Sequence, residues 1–360
     1  MKQQPKKSKF EQQLPLFNVV EEGKEPKMVN FGFMRPLKPT VVFSTYWHFA
    51  AERQRVFLRR VKGEQQPWTT DKVLLEHKFT NAYRASDRVS QYLIKHVIYD
   101  GDQTPREVFF RTILFKLFNR ISTWEILQAR LGEIRFDAFR FDAYDKILTA
   151  ASAKGSCLYS AAYIMPSGGP NSVYARKHQM HLRLVEKMVR DGLPERIADT
   201  PRMAEAFAIL RSYPTIGDFL AYQYVTDINY SDLTNYSEME FVVPGPGARD
   251  GIRKCFSELG GLTEAEVIKF VTEKQDDCIK AAGVEFPNLW GRRLQLIDCQ
   301  NLFCEVDKYA RIVHPEFQGI SGRSRIKQKL RPSPKPVECW YPPKWKINEK
   351  IRREIVCSTL

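Results

Sequence analysis

Two stretches of this 360-residue chain hold residues whose types and spacing suit chemistry on a polyanion. In VVPGPGARDGIRKCF, Val242 to Phe256, Gly245 and Gly247 stand one residue apart in a Pro-punctuated turn that leads into a helical pattern. A Gly-x-Gly turn lets the main chain approach a phosphate with no Cβ in the way, and the N–H groups at the following helix start point at the anion. Arg249 and Lys254 follow on that helix as further DNA contacts. In QLIDCQNLFCEVDKYARIV one carboxylate, Asp298, stands at a helix start with no second acid beside it. At about 100° per residue, Asn301, Glu305 and Lys308 form a polar stripe beside an apolar one of Leu302, Val306, Tyr309 and Val313. Asp298 then either only caps its helix, as Asp often does, or caps it and faces a cleft, with Asn301 one turn on to orient a water or touch a sugar. Glu305 is equally accounted for by pairing with Lys308.

Three further segments could surround such a carboxylate. Asn81, Arg84, Asp87 and Arg88 in FTNAYRASDR lie at helical spacing. They make either a buried ion-pair network or a phosphate-contacting face, the latter using Arg84 and Arg88. FNRISTW contributes Asn119, Arg120 and Trp124, and FLAYQYVTDINYS contributes Tyr222 and Gln223, with Asp227 and Asn229 beyond. Aromatic walls with amide side chains can hold and read a flipped base. Any one of these aromatics is as readily a core residue.

In this order the segments resemble the helix-hairpin-helix DNA glycosylases, whose hairpin reads hydrophobic-Pro-Gly-x-Gly and whose catalytic Asp begins a later helix. Val243, Pro244, Gly245 and Gly247 match the hairpin, and Asp298 matches the acid. The wider chain is similar to one branch, the α-glutamyl/putrescinyl thymine pyrophosphorylase clade, also described as the helical domain of hydroxymethyluracil DNA kinases. YWHFAAERQRVFLRR, PWTTD with FTNAYRASDRVSQYL, FNRISTW, FLAYQYVTDINYS, GPGARDG and DCQNLFCEVDKY carry that likeness from Tyr46 to Tyr309. Anti-phage glycosylases acting on glucosylated hydroxymethylcytosine belong to the same branch.

The resemblance implies a mostly α, two-lobed glycosylase-like fold with a helix-hairpin-helix motif. It also implies an enzyme that flips out and excises a modified, hypermodified or glucosylated pyrimidine from phage DNA in anti-phage defence. Breaking an N-glycosidic bond develops positive charge on the sugar, which one anion such as Asp298 stabilises. Arg249 stands where the members that also cut the backbone carry a lysine, and an arginine cannot be a Schiff-base nucleophile. The expected product is therefore an abasic site in an intact strand. Pro246 departs from the usual apolar residue, and LTEAEVIKFVTEKQDDCIKAAG lengthens the spacing to Asp298 as an inserted helix. The alternatives are a phage-type enzyme of hydroxymethylpyrimidine DNA hypermodification and a non-catalytic helical DNA-binding module. The expected partner is double-stranded DNA containing modified bases, with no cofactor, no membrane and no obligate protein partner.

Charge agrees with a polyanion. Of the formal +14, residues 1–9 hold four lysines and no acid, and residues 321–360 hold 11 basic residues against three acids. The ends read as basic arms, giving an N-terminal segment 1–40, a helical body 41–320 with its hairpin at 242–256, and a C-terminal extension 321–360. Seven cysteines without paired spacing point to a reducing, cytoplasmic setting. No Cys or His spacing makes a metal site, and His178 with His181 reads as a solvated helix face. Helix signals run almost throughout. Thr104 with Pro105, Ser122 with Glu125, Asn171, Thr200 with Pro201, and Thr263 with Glu266 mark helix starts, and Gly132 and Gly192 mark stops. PTVVFST near residue 39 and FVV before the hairpin read as short strands, and the two ends as the least structured parts.

Overall fold

The computed structural model describes residues 37–161, 165–167, 173–331 and 337–358. The chain is mostly helical, and the described strands are one short antiparallel pair, β1 (Lys38–Pro39) and β2 (Phe256–Glu258). The run after β1 is not a strand. The Thr40 hydroxyl accepts the Val42 N–H, and α1 (Val41–Val61) follows, burying Val42, Phe43, Tyr46, Trp47, Phe49 and Ala50. Packing of that face overrides the β propensity of the Val, Phe and Thr residues. FVV likewise runs without a ladder partner.

Next come α2 (Lys72–Glu76), capped by Asp71, a single turn at Arg84–Ser86, and α3 (Arg88–Leu93), which passes into a wide turn at Ile94–Ile98. The four residues expected at helical spacing from Asn81 to Arg88 therefore straddle a loop, a turn and a helix start. Pro105 opens α4 (Pro105–Phe118), and Asn119 ends it in the left-handed conformation. From Glu107 onward every residue of α4 is buried, as expected of a helix that is apolar all round and packed on all sides.

Around it stand α5 (Ile121–Leu131), α6 (Phe141–Ala153), α7 (Lys177–Arg190), α8 (Leu193–Ala198), α9 (Met203–Arg211) and α10 (Asp218–Ile228). Helix α5 starts one residue before Ser122, which lies inside it, and Gly132 stops it as expected. Met203 rather than Thr200 begins α9, because the Thr200 hydroxyl is taken by Tyr236 and Ile197. Asn171 lies outside the described residues. His178 and His181 are buried, not solvated: His178 Nε2 pairs with Asp145 at 2.7 Å, and His181 Nδ1 with Tyr159 at 2.8 Å.

The second packed group contains α1, α11 (Pro246–Cys255), α12 (Glu264–Glu273), α13 (Gln275–Ala281) and α14 (Leu296–Val313). The expected single insert is two helices, α12 and α13, and the Thr263 with Glu266 capping box is present. Between α10 and α11 lie residues 229–245, so the motif at 242–256 is not a tight hairpin between adjacent helices. Residues 1–36, most of the expected N-terminal segment, lie outside the described residues. The C-terminal extension is not a free arm. Leu330 N bonds to Glu76 O at 2.9 Å, and Tyr341, Ile347 and Ile351 are buried ahead of and within α15 (Asn348–Ser358).

Candidate active site around Asp298

Helix α14 begins at Leu296 with Gln295 as its cap, which puts Asp298 in the third helical position. Its Oδ2 accepts the Gln295 N–H at 3.0 Å, closing a capping box, and its Oδ1 accepts the Arg84 N–H from the facing turn at 2.8 Å. Asp298 is therefore a cap and also a bridge between two elements 214 residues apart. It is 4% exposed. Burial pushes its carboxyl up to about 6, against the pull of the two main-chain N–H groups and of Arg292, with Glu238 adding to the rise. A carboxylate held near neutrality is one that can exchange a proton at physiological pH.

Arg84 points the other way, into a buried network. Its Nη1 lies 2.7 Å from Asp227 Oδ1 and 2.9 Å from the Tyr230 hydroxyl, and its Nε donates to Gln223 Oε1 at 3.0 Å. Lys116 of α4 reaches Asp227 Oδ2 at 3.1 Å and Asn119 Oδ1 at 2.8 Å. Burial alone would raise the Asp227 carboxyl; the flanking Arg84 and Lys116 overcome it and hold the group ionised. Two cations and one anion share this interior, beside Asp298 and Gln223, whose Nε2 is buried with no hydrogen-bond partner.

The opposite wall comes from the loop before α14 and from the C-terminal extension. Arg292 donates to Glu238 Oε1 at 2.6 Å, and its guanidinium lies 3.6 Å from the centre of the Trp345 ring. Trp345 meets Tyr230 edge-on at 5.8 Å, and the Tyr341 and Ser86 hydroxyls are 2.7 Å apart. Lys344 Nζ donates to Ser231 O and Thr234 O, and burial lowers it to about 8. Arg84, Tyr230, Trp345 and Arg292 are thus linked in succession, and the row closes into a ring only through Asp298, by the Arg84 N–H at one end and the Arg292 charge at the other.

Some expected site residues gather here and others do not. Asp298, Arg84, Asn119, Tyr222 and Gln223 all belong to or border the network. Asn301 is half-buried one turn along α14. Arg120 is occupied with Ser122 at 2.9 Å. Trp124 packs edge-on against Phe115 on another side of α4. As DNA contacts, Arg84 and Lys254 are corrected: each is 1% exposed, Arg84 on Asp227 and Lys254 on Asp307 at 2.9 Å, so neither ammonium nor guanidinium reaches a backbone phosphate. Arg88 and Arg249 are exposed. Of the buried ion-pair alternative, Arg84 is the member that pairs, and with Asp227 from outside the segment; Asn81 and Asp87 are joined by hydrogen bonds instead, Asn81 N–H donating to Asp87 at 2.8 Å and Arg53 to the Asn81 amide oxygen at 2.9 Å. Glu305 is held by Lys308 at 2.6 Å.

The glycines have a different reason from the one their spacing suggested. Neither has a positive φ. A Cβ on Gly245 would meet the Phe219 ring at 2.9 Å, and one on Gly247 would strike Cys304 Sγ. Both are small because α10 and α14 press against them.

Sequence reasoning missed Lys116, Tyr230, Glu238 and Arg292, whereas the aromatics of the C-terminal extension, Trp345 among them, read from the sequence as docking on nucleic acid or on the body of the protein. Only Lys116 left a signal, as a cation within the apolar run VFFRTILFKLF.

The family model described as "5-hmdU DNA kinase, helical domain" matches residues 40–319. A 5-hmdU DNA kinase of Bacillus phage SP10 is 26% identical over 290 residues, covering 74% of this chain and 45% of its own length. The chain thus spans under half of the curated relative it matches. No solved structure matches. A kinase transfers a group and does not hydrolyse an N-glycosidic bond, so these findings overturn the excision reading, with its abasic product and its defence role.

Proposed function

The chain belongs to the family of the 5-hmdU DNA kinase helical domain, and we propose from this that it acts on DNA carrying hydroxymethylated pyrimidines, in their hypermodification. The observation that carries the reading is the family match, whose span contains Asp298, Arg84, Lys116, Gln223, Asp227, Tyr230, Glu238 and Arg292. In this reading the ring about Asp298 receives the modified base. Asp298, titrating near 6, takes the proton of the hydroxymethyl O–H as that oxygen attacks the terminal phosphorus of a nucleoside triphosphate, whose bond to the bridging oxygen breaks and whose nucleoside diphosphate leaves. The buried Nε2 of Gln223 supplies a donor for a base carbonyl. Tyr222 and Asn119 shape the pocket behind it. Exposed Arg88 and Arg249 contact the DNA backbone and set register without reading sequence.

The test is to incubate the protein with duplexes containing 5-hydroxymethyluracil, its phosphorylated or pyrophosphorylated forms, or thymine. A nucleoside triphosphate is present, and nucleosides are then analysed by mass spectrometry alongside measured affinities. A mass change or a clear preference confined to the 5-substituted DNAs is the expected result. Equal affinity for thymine DNA together with unchanged nucleosides would sink the proposal.

A further inference from the structure

A cleft of about 320 Å³ lies between α4, α5, His96 of the wide turn and the loops at 100–101 and 132–134. That is the size range of small-ligand sites. It is separate from the Asp298 ring. Arg111, which lines it, stands five residues before Lys116 on α4, so the two side chains point about 140° apart.

The floor of the cleft is made of buried donors. Main-chain carbonyls hold the Arg111 guanidinium rigidly: Nε bonds to Val97 O at 2.8 Å, and Nη2 to Ile98 O at 3.1 Å and Asp102 O at 2.7 Å. Its Nη1 remains buried with no partner, and so does Nε1 of Trp124, which is 2% exposed. Each buried donor left unmade costs roughly 1–3 kcal/mol. Two of them lining one cleft call for a ligand with two acceptors.

The rim has the opposite character. Glu133 and Asp100 are exposed carboxylates that line the same cleft. A Cβ placed on Gly101 would meet Glu133 Oε1 at 2.9 Å and Arg111 Nη1 at 3.5 Å, so the acceptor and the donor flank the same spot without forming an ion pair. With Asp102 and Glu107 also near Arg111, the surroundings disfavour a phosphate or any other multiply charged anion. The ligand that fits is neutral, with acceptors facing the floor and donors facing the rim. Gln128, on the same wall, can supply either.

We propose that this cleft binds the edge of a guanine base, from a DNA strand or from a free nucleoside or nucleotide. Guanine presents O6 and N7 as adjacent acceptors, one each for the unpartnered Nη1 of Arg111 and Nε1 of Trp124, and N1–H and N2–H₂ as adjacent donors that a carboxylate accepts together. Adenine and cytosine each offer one amino group, and thymine a single imide N–H.

The experiment is titration calorimetry of the full chain with guanosine, inosine, adenosine, cytidine and thymidine, and with short single strands containing or lacking guanine. Guanosine is expected to bind preferentially, with inosine, which lacks the N2 amine, weaker. Glu133→Gln, at an exposed position that leaves the fold intact, should lower guanosine affinity about tenfold or more, the usual worth of a bidentate base contact. Gln128→Ala is the second variant, and thermal melts check both. A guanine-bearing strand that binds more tightly than guanosine assigns the site to DNA; equal affinities assign it to the free nucleoside. Equal binding of all five nucleosides, no binding at millimolar concentration, or an unchanged Glu133→Gln affinity overturns the proposal. Because the probes carry no hydroxymethyl group, such a failure leaves the hypermodification reading standing.

Discussion

At Asp298 stability and the proposed chemistry pull in different directions. Its carboxyl titrates at about 6 in the fold against 3.8 as a free side chain. The folded state therefore holds its proton after the unfolded chain has released it. The sign follows: as pH rises from about 4 through 6 the ionised buried form becomes a growing burden, of roughly 3 kcal/mol for a shift of this size. Asp298→Asn removes that titration. Urea denaturation of both proteins across pH 4 to 7 should show the wild type losing stability relative to the variant as pH rises, while base-modifying activity in the variant falls and loses its inflection near pH 6. Parallel stability curves would return Asp298 to the role of a solvated cap. Asp227 shows the contrasting case, a carboxyl that Arg84 and Lys116 keep ionised in spite of complete burial.

At the scale of elements, the crossing of α11 over α14 depends on the glycines of GPGARDG. Gly251 packs directly against the Phe303 carbonyl, and a Cβ there would overlap main chain. At Gly247 the obstacle is the Cys304 side chain, which can rotate away. Gly251→Ala is accordingly expected to cost about 3 kcal/mol or more, at the upper end of overpacking penalties, and Gly247→Ala clearly less. Thermal denaturation of the two variants gives the order directly, and the reverse order would mean that the two helices cross elsewhere in solution. Since α14 carries Asp298 and α11 carries Arg249, a displaced crossing should also weaken DNA binding.

The whole molecule places its charge differently from the two basic arms that the sequence suggested. Arg325, Lys327 and Arg331 are exposed, whereas Tyr341, Ile347 and Ile351 are buried in the core and Trp345 packs on Tyr230 and Arg292. Substituting those three basic residues by Gln should leave the melting temperature unchanged. If all three touch phosphates, it should reduce the log–log salt slope of DNA binding by about 2.7, at about 0.9 per contact. Removal of residues 337–360 instead should destabilise the fold by uncovering Tyr230 and Arg292. A truncated protein that melts as the full chain does would show that the extension is only lightly attached.

The amino-acid sequence by itself determined the mostly helical class, many of the helix boundaries and the family likeness from Tyr46 to Tyr309. These rest on local signals: Pro105 at a first turn, the Thr263 with Glu266 box, Gly132 at a stop, and the order of short motifs. It also singled out Asp298, though not the Arg84 N–H that meets it from 214 residues away. The tertiary structure decided which charged residues are used up internally. Lys254 and Arg84 read as phosphate contacts because a cation in a sequence carries no record of its partner, and Asp307 and Asp227 stand far from them along the chain. The same limit hid Arg292, whose partner Glu238 stands 54 residues away. It also assigned Gly245 and Gly247 to phosphate approach, because a missing Cβ serves close packing and anion binding equally, and only the atoms facing it tell the two apart.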